Sequence, residues 1–242
     1  LGSNLVIIRP GASQQGFLRG GGGNVTTLTY ADSKKIQESS RITTVKSVGS
    51  EYSGRAQVSY GRNNTNTQIS GVGGDYFTIR NIELASGTLL TESDSLLYSK
   101  LAILGSQTAS ELFEDANPIG ENIRINGASF KVVGVTKSKG GGGPFSSDDI
   151  VYVPLFTAQK VLFGVSHLST IYVSAKSEEV TDAAANQLGF LLLELHKKPS
   201  VEDADFSISS QSDILETASD VTSTFTTLLT GIAAISLVVG GI

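Results

Sequence analysis

The chain has 242 residues, of which 18 are Lys or Arg and 23 are Asp or Glu, so its formal net charge is −5. A hydrophobic content of 39% is typical of a globular protein with a sizeable core and excludes a disordered chain. The mild acidity, without any Lys/Arg cluster, argues against a nucleic-acid partner. Because Cys is absent, disulfides, thiol nucleophiles and cysteine-based metal sites are excluded as well.

The first third of the chain predicts a strand, a helix and a hairpin. Residues 5–8 form an apolar run that ends at Pro10, which indicates a buried strand. Thr29 and Asp32 have the spacing of a capping box and predict a helix that continues to about Ser40. Apolar and polar residues alternate on both sides of a turn at 61–64, which predicts a β-hairpin with one buried face.

The middle of the chain predicts mainly short strands. We expect strands at 100–105, 130–135 and 150–153, and short helices at 106–113 and 156–163. Asn126-Gly127 is a strong signal for a tight hairpin turn. We interpret residues 79–167 as a mostly β subdomain that is inserted into an α+β one.

The last third repeats the element order of the first. A strand at 167–175, a helix at 178–196 and a strand at 205–210 follow one another. The predicted fold class is therefore α+β, with two strand–helix–strand lobes around the inserted subdomain.

The end of the chain predicts a helix that enters a membrane. No charged residue occurs from Val221 to Ile242, and about 20 apolar residues are needed to cross a bilayer. We expect the start of a membrane span here, in a chain cut at both edges, since Met is absent and the sequence stops within an apolar run. The alternative is a buried C-terminal core helix.

The approach to this apolar run has the spacing of a helix seam. Apolar residues follow one another at intervals of four and three, and the proposed seam consists of Ile214, Ala218, Val221, Phe225 and Leu228. We interpret residues from 213 onward as a stalk helix whose seam packs against a preceding membrane helix or a partner subunit. The alternative is that the seam packs on its own domain.

Signatures of catalysis and of cofactor or metal binding are missing, so no catalytic, cofactor-binding or metal-binding residue is assigned. The glycine runs lack the spacing of a phosphate loop. The two histidines, His167 and His196, lack a metal-binding arrangement, and His196 is explained by the favourable field at a helix C-terminus. We interpret the acidic groups at 148–149 and 202–205 as solvated loop charge.

Several stretches together resemble one family. They are NLVIIRPG (4–11), GVGGDYF (71–77), LAILG (101–105), NPIGENIRI (117–125), FKVVGV (130–135), DIVYVPL (149–155) and IAAISLVVGGI (232–242). In this order they resemble the MacB-like ABC transporter permeases, specifically the extracytoplasmic (periplasmic core) domain between the first and second membrane helices. The resemblance covers essentially the whole chain.

The resemblance implies a division of the chain and a set of partners. It implies a porter-like subdomain at 1–78 and 168–212, an inserted β-rich sabre-like subdomain at 79–167, and a stalk helix with the start of the second span at 213–242. It also implies an ABC ATPase domain or subunit that holds ATP and Mg, a second permease copy in a homodimer, and an extracytoplasmic adaptor protein. The expected location is the inner or plasma membrane, with this domain on the extracytoplasmic side.

The function implied by the resemblance is mechanical. The domain would transmit ATP-driven motion of the stalk to peptides, antibiotics or lipoprotein-type cargo outside the membrane, and would itself have no enzymatic activity. The alternative is a membrane-tethered extracytoplasmic binding module without transport activity. A third class, a membrane-anchored hydrolase, has almost no support from the His and Ser residues.

Overall fold

The computed structural model describes residues 4–11, 26–140, 148–210, 225–226, 229–230 and 232. Strands and helices are mixed along the chain, which confirms the predicted α+β class. None of the helices in these ranges is long and apolar enough to cross a membrane. The predicted stalk helix and membrane span lie almost entirely outside the described residues.

Ten strands and six α-helices make up the described fold. The strands are β1 (Leu5–Pro10), β2 (Val45–Tyr60), β3 (Asn63–Gly74), β4 (Leu84–Gly87), β5 (Leu101–Leu104), β6 (Asn122–Ile125), β7 (Ala128–Thr136), β8 (Ile150–Pro154), β9 (Thr170–Ala175) and β10 (Phe206–Ser210). The helices are α1 (Tyr30–Glu38), α2 (Tyr76–Ile79), α3 (Glu92–Leu96), α4 (Ser106–Phe113), α5 (Leu155–Thr157) and α6 (Thr181–Leu195).

All ten strands belong to one sheet. Their order is β10-β1-β9-β2-β3-β8-β5-β7-β4, and β6 pairs with both β2 and β7. The long hairpin β2–β3 forms the middle of the sheet, with an unbroken register from Gly49↔Gly74 to Tyr60↔Asn63. One sheet thus contains both the first and last strands, β1 and β10, and the strands of the predicted insertion. The predicted domain boundaries stay a prediction.

The first and last strands lie side by side at one edge of the sheet. β1 and β10 are antiparallel, with Val6 opposite Ser210 and Pro10 opposite Phe206. Because the strands run in opposite directions, the start of β1 and the end of β10 lie at the same end of the sheet.

The sheet buries apolar residues on both faces. The larger cluster includes Ile8, Phe130 and Leu188 and is covered by α1, α4 and α6. The smaller cluster lies around α2 and includes Leu5, Tyr76 and Tyr152. The apolar run of β1 therefore reads as continuous because its alternate residues contribute to the two opposite faces of the sheet.

Most predicted elements are confirmed, with shifts at their ends. Asp32 Oδ2 accepts a hydrogen bond from the amide of Thr29 at 2.7 Å, so α1 begins at the predicted cap. Asn126 and Gly127 have φ values of 46° and 82°, as the predicted hairpin turn requires. The helix predicted at 156–163 is instead the short α5 followed by a π-helical turn at Ala158–Phe163. The strand predicted from 167 begins at Thr170.

Candidate functional site

The most distinctive buried group is the carboxylate of Glu51, in the middle of β2. Its residue is only 5% exposed. It accepts hydrogen bonds from the hydroxyl groups of Tyr76 at 3.0 Å and Tyr172 at 2.9 Å, and from that of Ser70. Since an ionised carboxylate only accepts hydrogen bonds, these three donors match its requirement. The contacts join α2 to β2, β3 and β9 at one point.

The surroundings of Glu51 are aromatic and include the cation of Arg80. The guanidinium of Arg80 lies 4.9 Å from the centre of the Tyr172 ring, in a cation–π arrangement. Burial, together with the charge of Glu51, raises the pKa of Tyr172 to about 12. Burial likewise holds the pKa of Tyr76 well above its ordinary value. Both tyrosines therefore keep the protons with which they bind Glu51 throughout the physiological pH range.

Sequence reasoning missed this cluster. Glu51 lies just before the predicted hairpin. Nothing near it in the sequence identifies its hydrogen-bond partners, which come from β3, α2 and β9. A carboxylate in the middle of a stretch without other charges, residues 47–54, is the one available signal, because such a group is rarely buried without partners.

A second polar cluster, partly buried, lies where α6 ends. His196 Nδ1 is 2.7 Å from Asp205 Oδ1, and His196 Nε2 is 3.5 Å from Asp32 Oδ2. The ammonium of Lys198 lies 3.4 Å from Asp205 Oδ2, and the backbone oxygen of Asp205 accepts a hydrogen bond from the amide of Gly11. His196 caps the C-terminus of α6, as its interpretation expected, and two carboxylates also flank its imidazole. The interpretation of Asp205 as solvated charge was wrong, because its carboxylate lies beside this imidazole and the ammonium of Lys198. The cluster connects α1, α6, β1 and β10.

Asp148 was also interpreted wrongly as solvated loop charge, since its residue is only 6% exposed. Its carboxylate accepts hydrogen bonds from the amides of Lys139 at 3.0 Å and Gly140 at 3.2 Å, and from the hydroxyl of Ser138 at 2.7 Å. Burial by itself would raise the pKa of Asp148, but these hydrogen bonds outweigh it and the pKa lies below its ordinary value. Asp148 thereby fixes the end of the segment that follows β7.

We expect Asp148→Asn to flatten the acid dependence of stability. A depressed pKa in the folded state means that the carboxylate stabilises the fold fully above the unfolded value of about 3.9 and less as the pH falls towards the folded value. The thermal midpoint of the unchanged chain should therefore fall more steeply below about pH 4 than that of the variant. Asp149→Asn is the matched control, and equal acid dependence in all three proteins would contradict this role of Asp148.

The proposed seam lies largely outside the described residues. Ile214, Ala218, Val221 and Leu228 are not described, whereas Phe225 is helical and 62% exposed. The packing role of the seam therefore stays a prediction. Within the described ranges, no group of three or more His, Cys, Asp or Glu residues could hold a metal ion.

A family model decides what kind of chain this is. The model for the MacB-like periplasmic core domain matches residues 1–189, which is well over half of the chain. The chain belongs to this family. The resemblance that the sequence motifs suggested is confirmed.

Relatives of this MacB-like domain are larger proteins. The chain is 33% identical over 243 residues to the macrolide export ATP-binding/permease protein MacB of Bdellovibrio bacteriovorus, covering all of this chain and 37% of that protein. It is 36% identical over 224 residues to the protein of the same name from Chlorobaculum tepidum, covering 93% of this chain and 34% of that protein. The MacB-like domain thus spans about a third of the length of these relatives.

Solved structures agree with the MacB-like fold. The periplasmic region of MacB from Actinobacillus actinomycetemcomitans superposes with a TM-score of 0.74 at 24% identity, covering 90% of this chain and 94% of that one. The extracellular domain of the ABC-type transporter YknZ from Gram-positive bacteria gives a TM-score of 0.68 at 19% identity, covering 86% of this chain and all of that one. At such identities the likeness establishes the fold.

Proposed function

We propose that this domain lies on the outer side of a membrane and transmits ATP-driven motion of a stalk to substrates located there. It would do so as part of an ABC transporter permease, which is the kind of protein that its family and curated relatives represent. Export of peptides, antibiotics or lipoprotein-type cargo is the proposed outcome, and the domain itself would catalyse no reaction.

The observation that carries the proposal is the pairing of β1 with β10. The start of β1 and the end of β10 lie at the same end of the sheet, with Val6 opposite Ser210. A domain placed between two consecutive membrane helices must begin and end on the side that faces the membrane. The two strands are hydrogen-bonded to each other, so a displacement of either stalk would move both.

The fold suits the transmission of such a displacement. β1 and β10 belong to the same hydrogen-bonded sheet as β7 and β4 at the opposite edge. The clusters around Glu51 and His196 brace this sheet to α2, α1 and α6. Because packed interiors are dense and hardly compressible, a sheet braced in this way moves as one body instead of deforming locally.

The partners follow from this role. We propose that an ABC ATPase, fused or separate, binds ATP and Mg, and that two permease copies form the working transporter. An extracytoplasmic adaptor protein is a further proposed partner. The proposed seam of Ile214, Ala218, Val221, Phe225 and Leu228 would couple the domain to the membrane helices.

A flexible insertion tests the mechanical coupling. We expect two Gly/Ser linkers in the full transporter, one between Ser3 and Asn4 and one between Ser210 and Gln211, to uncouple the domain from both stalks, because such linkers behave as random coils and carry no compressive or twisting load. These 242 residues contain no Cys, so Ser129→Cys introduces one spin-label site within this domain, on the exposed side of β7, and any Cys elsewhere in the transporter would first be replaced by Ser. Electron paramagnetic resonance would measure the distance between the labels of two copies with and without ATP.

The expected result is an ATP-dependent distance change that the two insertions together abolish while ATP hydrolysis persists. The same linker placed in the exposed Asn126-Gly127 turn is the matched control and should preserve the change. An unaltered distance change in the variant with both linkers would contradict the proposal and would favour the tethered binding module.

A further inference from the structure

One exposed side of the sheet is rich in amide groups and cations. Alternate residues of a strand point to the same side of a sheet, and the pairing of β3, β2, β6 and β7 places the exposed residues of their adjoining segments together. The residues between them, such as Val58, Ile125 and Phe130, point into the core. We call the exposed side the polar face. It is formed by Arg55, Gln57, Asn64, Asn66, Arg124 and Lys131.

The charge of the polar face is opposite to that of the chain as a whole. The chain has a formal net charge of −5, whereas the polar face carries the guanidinium groups of Arg55 and Arg124 and the ammonium of Lys131. No Asp or Glu occupies the outward positions of these four strand segments, all of which the structure describes. Glu121 precedes β6 and accepts a hydrogen bond from Tyr60, which packs against the larger core cluster. Positive charge separated in this way attracts an anionic ligand.

Hydrogen bonds between strands hold the side chains of the polar face in place. The guanidinium of Arg55 donates to the backbone oxygen of Asn66 at 3.1 Å, and the side-chain amide of Gln57 donates to Asn64 Oδ1 at 3.4 Å. An amide side chain has both donors and acceptors, so it suits a hydroxyl group, which also donates and accepts. Because these side chains are already ordered, a ligand that binds them loses less affinity to side-chain entropy.

The positions of the two arginines require an extended ligand. Arg124 pairs with Ser59, which follows Arg55 by four residues and so lies about 13 Å farther along β2. Arg55 is directed towards Asn66 of β3, whereas Arg124 belongs to β6 on the other side of β2. The two guanidinium groups therefore do not converge on one small anion. A chain with several negative groups reaches both of them.

The polar face is remote from the end of the sheet at which β1 begins. Val45 of β2 pairs with Ala175, whose amide donates to the backbone oxygen of Asn4, so the start of β2 is level with the start of β1. Ser59 lies fourteen residues beyond Val45, about 45 Å along the strand. If the start of β1 faces the membrane, the polar face is too distant for a lipid surface to be its ligand. This step alone rests on the proposed function.

We propose that the polar face is a binding site for an acidic saccharide chain, a glycan with carboxylate or phosphate groups at intervals along it. The guanidinium groups of Arg55 and Arg124 bind the negative groups, because their planar geometry matches carboxylate and phosphate. The amides of Gln57 and Asn64 bind sugar hydroxyl groups between them. An acidic peptide would supply the charges without those hydroxyl groups.

Oligosaccharide binding to the full-length transporter in phosphatidylcholine nanodiscs tests the proposal. The probe is a fluorescein-labelled oligogalacturonate, and fluorescence anisotropy measures its dissociation constant. Labelled dextran of the same length has hydroxyl groups but no charge, and labelled oligoglutamate of the same charge has no hydroxyl groups. We expect oligogalacturonate to bind at least about tenfold more tightly than either. Competition by phosphorylated dextran shows whether phosphate replaces carboxylate at the arginines.

Variants of the polar face identify the site. Arg124→Gln should weaken oligogalacturonate binding about threefold, and Arg55→Gln combined with Arg124→Gln about tenfold. Gln57→Ala should weaken it about twofold and leave oligoglutamate binding unchanged, because only the sugar offers hydroxyl groups. Lys35→Gln is the matched control, since Lys35 is an exposed cation on α1, which covers the larger core cluster on the other side of the sheet.

Several outcomes would overturn this assignment. They are the absence of oligogalacturonate binding, equal affinity for oligoglutamate, and unchanged binding in the double arginine variant. Displacement of the probe by phosphatidylglycerol vesicles as readily as by unlabelled oligogalacturonate would assign the polar face to a lipid surface instead. None of these measurements depends on the ATP-dependent distance change, so failure of the saccharide site and failure of the mechanical function are distinguishable.

Discussion

Replacement of Glu51 by alanine should lower the free energy of unfolding by about 3–5 kcal/mol. The change removes the common acceptor of three buried hydroxyl groups and a negative charge that acts on the partly buried guanidinium of Arg80. A buried donor that loses its acceptor costs about 1–3 kcal/mol, and several are affected together. Urea unfolding followed by circular dichroism would measure the loss.

The chain offers a matched control for this experiment. Glu121 also accepts a hydrogen bond from a tyrosine, Tyr60, at 3.2 Å, but on the exposed surface. Glu121→Ala should leave the unfolding midpoint unchanged, because water replaces the lost partner. Glu51→Gln should fall between the two, since an amide oxygen still accepts from hydroxyl groups. Equal stability of the Glu51 and Glu121 variants would show that the cluster does not brace the sheet.

Replacement of Gly71 by alanine is expected to cost about 2 kcal/mol through overpacking. Gly71 lies in β3 and faces the point where α5 continues into the π-helical turn at Ala158. A methyl group there would overlap the side chain of Ala158 and would lie 3.3 Å from the backbone oxygen of Leu155. Since Ala158 is itself fully buried, the turn could relieve the overlap only by moving away from the sheet.

Gly73 provides the comparison on the same face of the same strand. A methyl group at Gly73 would lie 3.5 Å from the side chain of Leu155, which is an ordinary contact. Gly73→Ala should therefore be neutral or slightly stabilising, because alanine restricts the unfolded chain more than glycine does. Thermal midpoints of the two variants would test the difference, and similar values would contradict the overpacking argument.

Much of the fold was predictable because its signals are local. The capping box of α1, the Asn126-Gly127 turn and the alternation of β2 and β3 each depend on residues that are near one another in the chain. The order of the MacB-like motifs was equally readable, and the family match confirms it. The predicted ends and helix types were less accurate, because the helix predicted at 156–163 is a short α-helix followed by a π-helical turn.

The polar clusters were not predictable from local patterns. Asp148 looked like loop charge because its amide donors, at Lys139 and Gly140, are separated from it by a glycine-rich stretch. The position of His196 at the end of α6 was readable from the sequence, but its contact with Asp32 was not, because Asp32 is distant in sequence. A charged residue becomes a buried partner only when the chain folds back on it, and spacing along the chain contains no record of that contact.

The amino-acid composition by itself determined that this is a globular chain without cysteine. Local sequence patterns determined most of its strands and helices, and the order of its motifs indicated its family. The tertiary structure decided which strands lie side by side, and so placed the start of β1 beside the end of β10. It also decided which side chains are removed from water: Glu51 is buried among its hydrogen-bond donors, whereas Leu97 is exposed to solvent. The physical reason is that desolvation depends on long-range packing, and neither charge nor hydropathy along the chain specifies it.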